Sequence, residues 1–273
     1  EFEVAGGPTD RRPATDPSDP MAANGGGARY EVPPLAVPRD ADDSAFVASF
    51  AVDDVDGMRA FFEQYGFVVV RDVFSAAQCA AAIDDIWAHV ARLTKGAARR
   101  DDAATWTNAV WSTTGIVSEG MVGGAALFSP TAVAGRQNER LHAAFAAVLG
   151  TRELLVNHDR YGCFRPCRHA PSYTTRRNVH LDMNPLDYFE SDDNSHQVDV
   201  LSRLRYTTAH DFITENNEVG CSAVGELHVQ GLVNLADNRH ADGGFQLVPA
   251  FKHHFEAWVR SRERELRGWF GIR

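Results

Sequence analysis

The chain has 273 residues, a net charge of −10 and 44% hydrophobic residues, enough for one sizeable core or two small ones. This acidic balance does not favour a nucleic-acid partner, although a local basic groove remains compatible with it. No apolar run approaches the roughly 18 residues of a membrane span, and the start has no apolar signal-peptide core. Four cysteines in so long a chain indicate reduced thiols. We therefore expect an intracellular, cytoplasmic protein without membrane association.

The first 43 residues are rich in Gly, Pro, Asp, Ala and Arg and have no helix or strand periodicity. This composition is typical of a flexible arm. Met21 is a candidate native start, which would make residues 1–20 a cloning remnant. The globular domain is expected over residues 44–273.

The domain is predicted to open with a helix and a buried strand. Asp54–Tyr65 has apolar residues on one helical face, and Gly66 is a suitable end for it. Phe67–Val70 is a continuous, mostly β-branched run, which indicates a buried strand.

A capping pattern then predicts a longer helix. Ser75 is followed three residues later by Gln78, and an apolar helical stripe continues to about Thr94. Residues 96–136 are irregular and glycine-rich, and their tryptophans are either packing anchors or the rim of a substrate site. Asn138–Leu149 is predicted to be a further helix.

Short strands dominate the rest of the prediction. A long polar segment, residues 186–226, separates the earlier strands from the later ones. A final helix is predicted at Phe255–Leu266. Helices followed by strands favour a mainly β fold with flanking helices, a jelly-roll core. The predicted strands are Leu154–Phe164, Arg177–Asp182, Leu227–Ala236 and Phe245–Val248.

Two polar residues in one strand candidate carry the first chemical signal. His180 and Asp182 are two positions apart, so on a strand their side chains share one face, with Asn178 beside them. With a second histidine from another strand, they would form the two-histidine, one-carboxylate site of non-haem iron oxygenases. Alone, the pattern is weak evidence and is more often that of a polar strand surface.

Several motifs together resemble phytanoyl-CoA dioxygenase-like proteins. Gly66–Ser75 with its following Ala-rich helix is similar to their N-terminal signature, and His180-Leu181-Asp182 to their first two iron ligands. Gly231–Asp237 followed by Asp242–Pro249 is similar to the strand, turn and strand that lead to their distal histidine. The resemblance spans roughly residues 55–268. It implies a double-stranded β-helix, Fe(II), and 2-oxoglutarate as co-substrate for C–H hydroxylation.

The sequence departs from this family at the third ligand. Members usually carry histidine three residues after the proline of this turn, where this chain has Lys252. A protonated lysine cannot coordinate iron, so the ligand is either His253 or His254, or the site is lost. We prefer His253 because Arg264 stands eleven residues beyond it. Family members commonly carry an arginine at this spacing, and it pairs with the far carboxylate of 2-oxoglutarate.

Two more residues are co-substrate candidates by the same resemblance. Arg165 matches a basic residue that faces the co-substrate in relatives, and ion pairing is its alternative role. Asn178 would orient a ligand or co-substrate, or make an ordinary sheet hydrogen bond. Arg264 has an alternative as well, as a solvated helix charge among Glu263 and Glu265.

Three functions remain open from the sequence. The first is an Fe(II)/2-oxoglutarate dioxygenase acting on a small or carrier-linked molecule, with His180, Asp182 and His253 as ligands. The second is an iron oxygenase that modifies a nucleobase with another co-substrate. The third is a non-catalytic barrel that has lost its metal. The sequence names neither the substrate nor the oligomeric state.

Overall fold

The computed structural model divides the chain into two compact units. The described part of the larger unit lies within residues 34–179 and 231–251, and that of the smaller unit within residues 29–33, 180–230 and 252–270. The residues described are 29–123, 127–154, 156, 158–175, 179–181, 185, 229–239, 242 and 245–270.

The first predicted helix is confirmed as α1, Val55–Tyr65. The carboxylate of Asp54 accepts a hydrogen bond from the Gly57 amide and caps its start. Gly66 ends it at φ +76°, a left-handed conformation that glycine adopts without steric cost.

The strand predicted after α1 is shorter than its apolar run. Only Val69–Val70 (β2) pairs, in parallel with Ser49–Phe50 (β1). The adjacent core centres on Phe61, whose ring centroid is 5.2 Å from that of Phe50 and 5.4 Å from that of Phe67. Leu35 and Val37, from the segment expected to be an arm, pack against this cluster.

The capping box of the next helix is also confirmed. α2 spans Ala76–Leu93, with the Ser75 hydroxyl and the Gln78 side chain bonding each other's backbone amides. Two helices follow later in the chain, α4 at Pro130–Arg136 and α5 at Glu139–Leu149. The α5 helix was predicted, whereas α4 lies in the stretch expected to be irregular.

A second core cluster joins α2 to the loops that follow it. Val90 and Val122 are fully buried, and Trp111 is 2% exposed, so this tryptophan is a packing anchor. Met121–Val122 (β3) pairs antiparallel with Tyr161–Gly162 (β4). The short helical segments near this cluster are Ala103–Thr105, Asn108–Trp111 (α3), Val117–Glu119 and Pro171–Tyr173.

The C-terminal helix is longer than predicted. α6 spans Phe251–Phe270, starting four residues before Phe255 and ending four residues after Leu266. It follows Ala250, whose φ of +58° turns the chain and whose amide donates to the Tyr65 carbonyl at 2.7 Å. Among the described residues, none of the helices combines the length and apolarity of a membrane crossing.

The described strands are four segments of two residues each. Within the candidates at 227–236 and 245–248, the described residues are assigned no strand, and the candidate at 177–182 is described only at 179–181. The double-stranded β-helix core stays a prediction.

Candidate functional site

The predicted ligand strand is described only in part. His180 is exposed and belongs to the smaller unit, and its neighbour Val179 is 57% exposed. Asp182 and Asn178 lie outside the described residues. The structure thus shows one of the first two predicted ligands, with its ring accessible to solvent.

The third predicted ligand lies on a helix. Lys252, His253 and His254 occupy the first turn of α6, whereas the predicted position of this ligand was on a strand. His253 and Lys252 are exposed, and His254 is half-buried. His254 Nδ1 is 2.7 Å from the Tyr30 hydroxyl, so one ring nitrogen of this alternative ligand is already engaged.

His253 and Arg264 are not brought together. Eleven residues on one helix make about three turns, which puts the two backbones on one face but about 16 Å apart along the axis. The neighbouring arginines pair with glutamates one turn away, Arg260 with Glu256 at 2.8 Å and Arg267 with Glu263 at 2.9 Å. The co-substrate role of Arg264 stays a prediction.

The described residues offer few clustered donors for a metal ion. Among those residues, no three His, Cys, Asp or Glu side chains lie close enough together to hold an ion. The predicted set draws on Asp182, which lies outside the described residues. Its donors nevertheless fit iron chemically, because two imidazoles and one carboxylate are the ligand set of non-haem Fe(II) sites.

Arg165 has the most distinctive environment of the predicted site residues. It is 7% exposed in the larger unit, and its Nη1 donates to the Trp106 carbonyl at 2.7 Å. Its guanidinium carbon lies 3.9 Å from the Tyr173 ring centroid and 5.4 Å from that of Trp111. We call Trp106, Trp111 and Tyr173 the arginine box.

The arginine box surrounds the guanidinium of Arg165, which has no counter-ion among the described residues. No described carboxylate forms a salt bridge with Arg165, so the ion-pair alternative is not seen in this part of the chain. Burial lowers the pKa of Arg165, and the nearby Tyr173, Cys163 and Cys167 partly offset that effect. Burial of an unpaired cation is costly, and an anionic ligand would relieve that cost.

Sequence reasoning missed the residues that surround these candidates. Tyr173 lies in a short 3₁₀ turn eight residues after Arg165, and the Pro166 and Pro171 turn signals are the one local hint that the loop folds back. Tyr30 lies in the segment expected to be an arm. Neither contact has a spacing signature, because each depends on how distant segments pack.

Comparisons with known proteins identify the family. No protein-family model matches the chain, and no solved structure matches it. A Dictyostelium discoideum protein described as "Putative phytanoyl-CoA dioxygenase" is 31% identical over 242 residues, covering 81% of this chain and 68% of that protein. Similarity of this extent means that the chain belongs to the phytanoyl-CoA dioxygenase-like family of oxidoreductases.

Proposed function

We propose that the protein is a non-haem Fe(II) dioxygenase that uses 2-oxoglutarate to hydroxylate a C–H bond of a small or carrier-linked organic substrate. The observation that carries this proposal is the 31% identity with the phytanoyl-CoA dioxygenase relative over most of both chains. The fold that accompanies it is a double-stranded β-helix core with flanking helices.

The proposed metal ligands are His180, Asp182 and His253. The accessible imidazole rings of His180 and His253 belong to one compact unit, which supports their joint use. Asp182 would supply the charged oxygen ligand, two residues from His180. Three protein ligands leave the other positions of the metal open, and bound Fe(II) would supply oxygen activation there.

The proposed anchors of the co-substrate are Arg165 and Arg264, with Asn178 as an orienting group. Arg165 supports this role best, because a guanidinium has five N–H donors and its bond to the Trp106 carbonyl uses one of them. A planar guanidinium binds a carboxylate through two parallel hydrogen bonds. The surrounding aromatic rings would keep water from competing for those donors.

An anaerobic Fe(II) titration with and without 2-oxoglutarate tests the proposal. Wild type should bind Fe(II) and develop the visible charge-transfer band of a keto-acid chelate when 2-oxoglutarate is added. His180→Ala, Asp182→Ala and His253→Ala should each lose the band, whereas the neighbour variant His254→Ala should still develop it once Fe(II) is saturating.

The other outcomes point to the remaining functions. Iron binding without the band would overturn the choice of 2-oxoglutarate and favour another co-substrate. Absence of iron binding in wild type would overturn the dioxygenase and favour a barrel whose metal site is lost. A band that survives in His253→Ala and disappears in His254→Ala would move the third ligand by one residue.

A further inference from the structure

Two neighbouring residues near the described N-terminus contact α6 at points eleven residues apart. The Tyr30 hydroxyl is 2.7 Å from Nδ1 of His254, and their ring centroids are 5.9 Å apart. Arg29 donates from Nε and Nη2 to Oε1 of Glu265, at 3.1 and 2.7 Å. The two contact points are about 16 Å apart along one face of the helix, so residues 29–30 bridge three turns of α6.

The Arg29 contact differs from an ordinary surface ion pair. The Glu265 side chain is 21% exposed, and its second oxygen, Oε2, is buried without a hydrogen-bond partner. Both described donors to this carboxylate come from one guanidinium. A partly buried carboxylate that loses its cation pays the cost of burying an unpaired charge, which exposed pairs do not. The contact is therefore expected to hold Arg29 in place.

The Tyr30 contact acts on the turn that carries the candidate ligand. His254 and Tyr30 are both half-buried, and their hydrogen bond engages Nδ1, which leaves Nε2 for any other partner. In metal sites, hydrogen-bond partners of the ligands fix the orientation of the ligating side chains. Here Tyr30 bonds the residue next to the proposed ligand, and so acts on the turn that carries it. The neighbour His253 projects from the same helical turn.

We infer that Arg29 and Tyr30 form a strap that fastens the N-terminal segment along α6, and that Tyr30 is a positioning residue for the first turn of that helix. Its effect on metal binding rests on the proposed function, because it acts through the ligand role of His253. The strap itself rests only on the contacts with His254 and Glu265.

Hydrogen exchange on the full chain tests the strap without any metal. Tyr30→Phe keeps the ring but removes the hydroxyl, and should speed amide exchange in the first two turns of α6 about fivefold. Arg29→Gln should likewise speed amide exchange in the turn of α6 that carries Glu265. The matched control is Arg100→Gln, which removes the exposed 2.5 Å ion pair with Asp84 and should leave α6 unchanged. Wild-type exchange in both strap variants would overturn the inference.

Anaerobic Fe(II) titration of the same variants tests the positioning role. Tyr30→Phe should bind Fe(II) about fivefold more weakly than wild type, because the turn that carries His253 loses the hydrogen bond between Tyr30 and His254. Faster exchange with wild-type Fe(II) affinity would overturn the positioning role. If wild type binds no Fe(II) while Tyr30→Phe still speeds exchange, the proposed function fails and the strap stands.

Discussion

The guanidinium carbon of Arg165 lies 3.9 Å from the centroid of the Tyr173 ring. This distance is within the range of a cation–π contact, which is worth about 1–2 kcal/mol when it is shielded from water. Tyr173→Leu should therefore weaken 2-oxoglutarate binding about tenfold, because Arg165 loses the surface that orients it. Calorimetric titration of the Fe(II)-loaded protein under anaerobic conditions would measure the change.

Tyr173→Phe is the matched control, because phenylalanine keeps the ring face and loses only the hydroxyl. Its affinity should stay much closer to that of wild type. Arg165→Gln should lose more affinity than either, since it removes the charge itself. Equal affinity for 2-oxoglutarate in Tyr173→Leu and wild type would show that the arginine box does not orient a co-substrate anchor.

Gly115 sets the position of β3. It thereby affects β4, which pairs with β3 and precedes Arg165 in the chain. Its φ is +156°, and an added Cβ would lie 2.6 Å from the Met121 carbonyl oxygen and 3.0 Å from the Gly123 nitrogen. Because both are backbone atoms, β3 would have to move. Gly115→Ala should lower the free energy of unfolding by about 3 kcal/mol, from steric overlap and backbone strain together.

Gly96→Ala separates the two causes. Gly96 also has a positive φ, +78°, but nothing lies within 4 Å of an added Cβ. Alanine there should cost only the backbone strain, about 1 kcal/mol. Urea unfolding of both variants would measure the difference. Similar losses in the two variants would mean that β3 tolerates displacement.

Local signals explain which elements could be predicted from the sequence. Two of these signals act within one helical turn and are confirmed. They are the capping box of Ser75 and Gln78, and the left-handed Gly66 at the end of α1. The helix α4 also has a local signal, Ser129 before Pro130, but its seven residues and internal Gly135 give it little periodicity. The start of α6 was missed because the residues after Pro249 were read as a turn.

Long-range packing explains what could not be predicted. The pairing of β1 with β2 joins residues about twenty positions apart and leaves no mark in the sequence. The family resemblance singled out Arg165, but nothing near it in sequence indicated that the rings of Trp111 and Tyr173 would flank its guanidinium. The ligand roles of His180, Asp182 and His253 stay predictions.

Asp85 links α2 to the start of α4 and makes stability depend on pH. Its Oδ2 accepts hydrogen bonds from the Thr131 amide at 3.2 Å and the Thr131 hydroxyl at 2.5 Å. Burial raises its pKa, but hydrogen bonds from Thr131 and Ser129 outweigh that effect, so its pKa is lower than usual. The stabilisation is thus present above the unfolded-state pKa and is lost as pH falls through the lower, folded-state pKa.

Asp85→Asn should therefore lower the free energy of unfolding at pH 7 by about 1 kcal/mol. The difference between the variant and wild type should be smaller at acid pH. Urea unfolding at pH 7 and at a pH low enough to protonate Asp85 would show it. Asp84→Asn is the control, because its carboxylate is 67% exposed and pairs with Arg100 at the surface. A loss that is the same at both pH values would contradict the role of the charge.

Cys163 is expected to be the least reactive of the three described thiols. Burial raises its pKa to about 11 from an ordinary value of 9.0, and the charge of Arg165 only partly opposes this. At pH 8 its thiolate should be about 100-fold scarcer in the folded protein than in the unfolded chain. Iodoacetamide labelling with mass mapping should modify Cys79 and Cys167, which are also free thiols, before Cys163.

The same pKa shift gives the thiol an opposite pH dependence to that of Asp85. The unfolded thiol ionises near pH 9.0, while the folded thiol stays protonated until about pH 11. Its contribution to stability is therefore lost as pH rises across that window. Cys163→Ala should remove this alkaline loss and make the free energy of unfolding less dependent on pH above 9.

The labelling experiment has a contradicting outcome. If Cys163 is labelled as fast in the native protein as in the urea-unfolded chain, the loop between β4 and Arg165 opens freely.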